Sequence, residues 1–353
     1  MSDGEDLVSR ARSIFARLRD DAEEDIAEEP PQPEEPPAEP PPPAFGAVEA
    51  PEEVPPAPVE AAAPELPERL VEPEEIPETV TAAVQVPAPA RPARDLPRVI
   101  AVANQKGGVG KTTTAVNLGA ALAELGYRVL VVDLDPQGNA STGLGINPRN
   151  VESSIYDVIM NGSPMEDAIE PTAVRNLFVV PATIDLAGAE IELVPAFSRE
   201  LKLRRALDEA SGDFDFTLID CPPSLGLLTV NGLAAAGEVL VPIQCEYYAL
   251  EGLGQLLKNV SLVQTNLNPR LELSTIVLTM YDARTRLAEQ VAREVREHFG
   301  DTVCRSIVPR TVRLSEAPSF GQPVIVFDSS SRGALAYREL AKEVSGGTPQ
   351  RTG

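Results

Sequence analysis

The sequence predicts an α/β protein, a doubly wound and mostly parallel sheet with helices on both faces, and three observations carry that prediction. Short apolar runs alternate with longer amphipathic stretches along residues 98–345, the pattern of strands joined by crossover helices. A glycine-rich segment, NQKGGVGKTTT from Asn104 to Thr114, separates the first run from the first helical stretch. Acidic residues stand at the ends of later runs, Asp133 and Asp135 after the second and Asp220 at the end of another. Open α/β sheets bind their ligands beyond such strand ends.

Charge and proline divide the chain before that fold begins. Of 353 residues and a net charge of −24, residues 1–97 hold 24 acidic against 7 basic side chains and 21 of the 35 prolines. Residues 3–20 place Leu7, Val8, Ala11, Ile14, Phe15 and Leu18 at helical spacing between Arg10, Arg12, Arg17 and Arg19. That spacing suits a short amphipathic helix for a partner, and equally a frayed terminus with none. Residues 21–97 are Glu, Pro and Ala without an apolar period, a composition expected to stay a disordered acidic linker because it cannot offset its ordering entropy. Residues 98–345 are apolar enough to bury one sizeable core, and residues 346–353 read as a flexible tail.

Within the folded region each element has its own signal. Val99 to Ala103 is a buried strand, and Ala115 to Leu125 has helical apolar spacing with Gly126 as its stop. Arg128 to Leu134 (RVLVVDL) is a second buried strand. Further strands are expected at Leu177–Pro181, Phe216–Asp220, Val239–Ile243, Ser274–Met280, Val303–Val308 and Val324–Phe327. Helices fit at Ser198–Ala210, Glu251–Gln264, Leu287–Phe299 and Gly333–Glu343. Strand and helix in alternation imply parallel pairing through right-handed crossovers.

Strand, glycine-rich loop and helix in that order make a phosphate cradle of the P-loop type. Gly107, Gly108, Val109 and Gly110 let backbone N–H groups turn inward, and the helix start adds its positive dipole end. Lys111 is placed to reach terminal phosphates, and the hydroxyl of Thr112 to hold Mg²⁺. The first glycine of the usual G-x-x-x-x-G-K-S/T pattern is replaced by Gln105, beside a second lysine, Lys106. Asp133 and Asp220 suit a strand-end role around Mg²⁺ and its water. Asp135, one step beyond its strand, suits orientation of the attacking water. A plainer alternative has these carboxylates capping turns, since Pro136 and Gly138 follow.

The KGG-x-GK-T loop resembles the deviant Walker A box of the ParA/MinD ATPases. Together with VLVVDLDPQGNAS, DLAGAEIEL, LIDCPPSLGLLTVN, VPIQCEYYALEGL, LTMYDART and VPRTVRLSEAPSFGQPV, it resembles the ParA/Soj branch of chromosome- and plasmid-partition ATPases over residues 99–344. The resemblance implies a P-loop NTPase with ATP and Mg²⁺, in which Lys106 reaches a nucleotide bound by the other copy of a homodimer. It implies that Gly107 to Thr113 cradle phosphates and that Asp135 is needed for hydrolysis. Pro309 and Thr311 match positions lining the adenine pocket. Arg284 and Arg313 match arginines that hold the dimer on nonspecific double-stranded DNA; the modest basic excess between them gives some support, but charge alone fits a solvated helix face held by surface pairs such as Glu289 with Arg293 at least as well. A ParB-type centromere-binding partner would stimulate hydrolysis, and the protein would be cytoplasmic and nucleoid-associated. The N-terminal extension departs from the compact members of the family, so no role transfers to it.

Other chemistries find little support. Cys221, Cys245 and Cys304 lie far apart, without a zinc or disulfide spacing, and make no cluster-ligand pattern of the nitrogenase iron protein kind. The single histidine, His298, sits in a charged helix. No apolar run is long enough to span a bilayer and Met1 to Asp20 lacks a signal-peptide core, so membrane insertion is not expected. Two alternatives stay open: a MinD-like membrane-cycling ATPase, which needs a C-terminal amphipathic helix where this sequence reads SGGTPQRTG, and a nucleotide-clamped scaffold acting through its N-terminal tail.

Overall fold

The computed structural model describes residues 94–210, 214–246 and 249–346, all of them in one compact unit. The segment 3–20, the linker to residue 93 and the tail from residue 347 lie outside the described residues. Strands β1 (Arg98–Val102), β2 (Val129–Asp133), β3 (Glu170–Pro171), β4 (Leu177–Val180), β5 (Phe216–Asp220), β6 (Glu238–Gln244), β7 (Glu272–Tyr281) and β8 (Val303–Pro309) form one sheet. Its order is β3-β4-β2-β5-β1-β6-β7-β8. All pairings are parallel except that of β3 with β4, so the sheet is mostly parallel, as the alternation requires. The antiparallel β3 is only two residues long, too short to leave a sequence period.

Helices α1 (Lys111–Glu124), α2 (Asn139–Gly143), α3 (Leu186–Glu192), α4 (Lys202–Ala210), α5 (Leu227–Ala235), α6 (Ala249–Asn266), α7 (Arg286–Phe299), α8 (Val312–Glu316), α9 (Val324–Phe327) and α10 (Arg332–Ser345) fill the connections. Successive strand side chains point to opposite faces, and the core divides accordingly. Ile100, Val102, Val131 and Leu218 pack with Leu118, Leu122, Tyr337 and Leu340 of α1 and α10. Ala101, Leu130, Val132 and Ile219 pack on the other side with Leu203, Leu228, Leu253 and Val291. Helix α1 packs closely on the sheet at Gly119, where a Cβ would lie 3.1 Å from Val131 Cγ2 and 3.3 Å from Leu177 Cδ1.

At the amino edge of the sheet, Arg98 is 5% exposed. Its Nε and Nη2 donate to the two oxygens of Glu238 at 2.7 and 2.8 Å, and Nη1 donates to the carbonyl of Val344 at the end of α10. Burial works against the charge of Glu238, but the Arg98 guanidinium, with Ser274 and Arg94, outweighs it and holds the carboxyl below its ordinary range. Arg94 also pairs with Glu272. The first described residues are thus fastened to the edge opposite the glycine-rich loop.

One expected strand is corrected. Val324–Phe327 is the helical turn α9, because Asn117 Oδ1 accepts the Val324 N–H at 2.6 Å and Phe327 stacks on Phe320 at 4.8 Å. An apolar run of four residues cannot separate a buried strand from a buried helical turn. The helical stretch expected from Ser198 begins with a 3₁₀ turn, Arg199–Leu201, before α4, and α5 carries no polar face that a period would reveal.

Candidate active site

Helix α1 starts inside the glycine motif, at Lys111, rather than at Ala115. This brings the helix N-terminus to the loop itself, where the unpaired N–H groups and the positive dipole end favour an anion. Gly108 and Gly110 have φ of 75° and 88°, left-handed conformations that side chains resist. A Cβ on Gly107 or Gly108 would meet nothing within 4 Å, so these glycines face open space, as a ligand cradle requires. The loop is tied from outside: Thr279 Oγ1, near the end of β7, donates to the Val109 carbonyl at 2.8 Å. Asn104 braces its start, donating to the Pro242 carbonyl at 2.8 Å and accepting the Lys106 N–H at 3.1 Å.

The two lysines differ. Lys111 is buried, and its Nζ donates to the Lys106 carbonyl at 3.2 Å. Desolvation pushes its pKa down, against the pull of Asp220, Cys221 and Asp135. Lys106 is partly exposed and reaches Glu246 Oε2 at 3.4 Å, leaving its ammonium at the surface of the site.

The three aspartates also separate into roles. Asp133 and Asp220 are register partners on β2 and β5, and both are fully buried. Asp133 is occupied: Oδ2 accepts the N–H and Oγ–H of Ser141 at 2.8 and 2.7 Å, and Oδ1 accepts the Asp135 N–H at 3.1 Å. Burial raises its pKa to about 6 despite these bonds. Asp220 has both carboxylate oxygens buried without a hydrogen-bond partner of normal geometry. Desolvation first, then the charge of Asp133, raise its pKa well above the usual carboxylate range, while Thr112 and Lys111 oppose the shift. Asp135 is half-buried in the loop between β2 and α2, accepting the Gln137 N–H at 3.0 Å.

This donor set fits Mg²⁺. A buried carboxylate with idle oxygens beside a threonine hydroxyl is a hard-oxygen site. No group of three or more His, Cys, Asp or Glu that could hold a metal occurs among the described residues, so phosphate and water would have to complete the shell.

Pro309 ends β8 opposite Tyr281, two residues beyond Thr279, and Thr311 caps α8 by accepting the Leu314 N–H at 3.4 Å. Arg284 and Arg313 follow the carboxyl ends of the adjacent strands β7 and β8, on the same rim. Both are exposed and both are occupied by carboxylates. Arg284 donates to Asp282 from Nε and Nη2 at 2.9 and 2.6 Å. Arg313 reaches Glu316 at 3.0 Å and Asp328 at 3.2 Å.

Sequence reasoning missed Ser141, Thr279, Glu246 and the acids on the two arginines. Ser141 had a signal, since it closes the DLDPQGNAS run begun by Asp133. Thr279 had none, because its contact with Val109 spans 170 positions.

The chain is 58% identical over 248 residues to the sporulation initiation inhibitor protein Soj of Bacillus subtilis, covering 70% of this chain and 98% of that protein. The chain belongs to the ParA/Soj family. Within that family, the chromosome partitioning protein ParA of Caulobacter vibrioides is 55% identical over 249 residues, covering 70% of this chain and 93% of its own. A family model described as an AAA domain matches residues 97–273. Among solved structures, one titled cobyrinic acid a,c-diamide synthase from Mycobacterium smegmatis, with bound ATP analog and magnesium, is 44% identical with a TM-score of 0.62, covering 70% of this chain and 93% of that one. The cell division ATPase MinD of Pyrococcus furiosus is 28% identical with a TM-score of 0.58, covering 70% of this chain and 98% of that one. The family-model match falls within residues 94–346, and no helix among the described residues is long and apolar enough to cross a membrane.

Proposed function

We propose that this chain is a Mg²⁺-dependent ATPase of DNA partition, whose ATP-bound homodimer holds DNA without reading its sequence. The observation that carries the reading is Asp220, with two idle buried oxygens beside Lys111 and Thr112 under an open glycine loop.

In this reading backbone N–H groups from Gly107 to Thr113 hold the phosphates of ATP, and Lys111, already desolvated, sets its charge against the terminal ones. Thr112 and Asp220 hold Mg²⁺, which when bound neutralises charge on the phosphoryl oxygens. Asp133, whose oxygens accept from Ser141 and the Asp135 N–H, stands at the strand end around the Mg²⁺ and its water and also positions the Asp135 loop. Asp135 aligns the attacking water, so no covalent intermediate is needed. Lys106, at the surface of the site, reaches the nucleotide of the second copy, and Pro309 and Thr311 border the adenine. Arg284 and Arg313 meet DNA phosphates, contacts that fix position but carry no sequence information. Hydrolysis, stimulated by a ParB-type partner, dissolves the dimer and releases the DNA, giving a cytoplasmic, nucleoid-associated cycle.

The test is retention of a mixed-sequence DNA duplex by the full chain with ATP and Mg²⁺, with ADP, and without nucleotide. Retention with ATP alone, lost in Lys106→Ala and persistent in Asp135→Ala, is the expected result. Retention independent of nucleotide would overturn the reading.

A further inference from the structure

The rim that carries Arg284 and Arg313 is built against itself. Arg284 is 89% exposed, yet its guanidinium lies in a two-pronged bond to Asp282, two residues earlier. Asp282 Oδ1 also accepts the Arg284 backbone N–H at 3.1 Å, so one carboxylate closes the turn and occupies the arginine head together. The Arg284 guanidinium holds the Asp282 carboxyl well below the usual range, and Arg310 contributes in the same direction. Arg313 is shared between Glu316 and Asp328, and its guanidinium lies over the Phe327 ring at 5.9 Å. Two exposed cations on neighbouring loops, each met by carboxylate, is not the arrangement of a surface selected for the tightest grip on an anion. A planar fork that fits a carboxylate fits a phosphate in the same way.

Resting on the DNA reading above, we propose that Asp282, with Glu316 and Asp328 at the second arginine, is an intramolecular competitor for DNA phosphate that keeps the grip weak and reversible. An arginine must leave its carboxylate before it takes a phosphate, and the carboxylate recaptures it when the phosphate departs. A cation already neutralised by its own chain also contributes less counterion release than a free one. The rim therefore binds more weakly, and with a shallower dependence on salt, than its arginines alone would give. For a protein that must let go of DNA on each cycle, this arrangement favours exchange over residence.

The test is Asp282→Asn, which keeps the Oδ1 acceptor that closes the turn but removes the charge. The full chain with ATP and Mg²⁺ is titrated with a mixed-sequence duplex over a salt series, alongside Arg284→Ala and the double variant. Asp282→Asn should tighten binding about three- to tenfold at low salt and steepen the plot of log affinity against log salt by up to ~1 per copy. Arg284→Ala should weaken binding, and Asp282→Asn should add little in that background, because a general gain from removing one acidic charge would persist without the arginine. Turnover without DNA should be unchanged, since Asp282 lies outside the nucleotide machinery. Weakened binding in Arg284→Ala with equal or weaker binding in Asp282→Asn would show that the carboxylate presents the arginine, and would overturn the competitor while sparing the DNA reading. No effect of Arg284→Ala would overturn both at this rim.

Discussion

The two edges of this sheet treat charge in opposite ways. At the amino edge, Arg98 and Glu238 are buried and joined by a fork, with the remaining guanidinium donor on the end of α10. The pair ties the first strand, β6 and the last helix together. At the carboxyl edge, Asp220 is equally buried but idle, Lys111 is desolvated, and the rim arginines are exposed on carboxylates that another anion could replace. Arginine and carboxylate are mutually satisfied in the first pair, while Asp220 is left without a partner of normal geometry.

The contrast is sharpened first by breaking the satisfied edge. Arg98→Ala leaves the buried Glu238 carboxylate with only Ser274 and Arg94 beside it, and is expected to cost up to about 3–5 kcal/mol in urea unfolding. Whatever fraction folds should keep the nucleotide affinity of the wild type. A loss below 1 kcal/mol would show that the amino edge carries no more than a surface pair.

At the opposite edge, Asp135→Ala should reduce turnover by about a hundredfold or more, an effect of ~3 kcal/mol on the barrier, with the unfolding midpoint unchanged. The binding groups remain, so ATP-dependent dimers should persist in light scattering. Wild-type turnover would remove Asp135 from the chemistry.

Asp220→Asn is expected to move stability the other way. Its folded pKa is raised, so ionisation costs the native state more than the unfolded chain; the penalty is absent below about pH 4 and grows as pH rises above it. The variant without nucleotide should be more stable than wild type at pH 8 by about 1–3 kcal/mol, with no gain near pH 4. It should also lose the extra thermal stability that ATP with Mg²⁺ confers. Destabilisation at pH 8 would mean that Asp220 is satisfied in the native protein.

The smallest effect concerns residues 1–93, with a net charge of about −17, which join the domain through Arg94 at the amino edge. An acidic sequence competes with DNA phosphate for basic groups at low salt, so in the DNA reading proposed above it would weaken the grip. Deleting it should tighten DNA binding by about tenfold or less, ~1.4 kcal/mol at most, with the gain shrinking as salt rises. Equal affinities at low salt would confine competition to the carboxylates of the rim itself.

Much of this protein was legible in the sequence because its signals are local. The NQKGGVGKTTT loop needs only its own glycines and the helix start at Lys111 to become a cradle. Buried parallel strands such as VLVVD read as apolar runs wherever they sit. The positions of Asp133, Asp135 and Asp220 at strand ends followed from the same pattern. Their division of labour did not, because it depends on which donors come within about 3 Å. Ser141 and the Asp135 N–H claim Asp133, while the oxygens of Asp220, its register partner, meet no partner of normal geometry. The brace from Thr279 to Val109, the helical turn at Val324–Phe327 and the carboxylates on Arg313 were likewise decided by residues brought together from distant parts of the chain. Periodicity fixes which face of an element is buried. Only the packed structure decides which buried polar group is satisfied and which is left for a ligand.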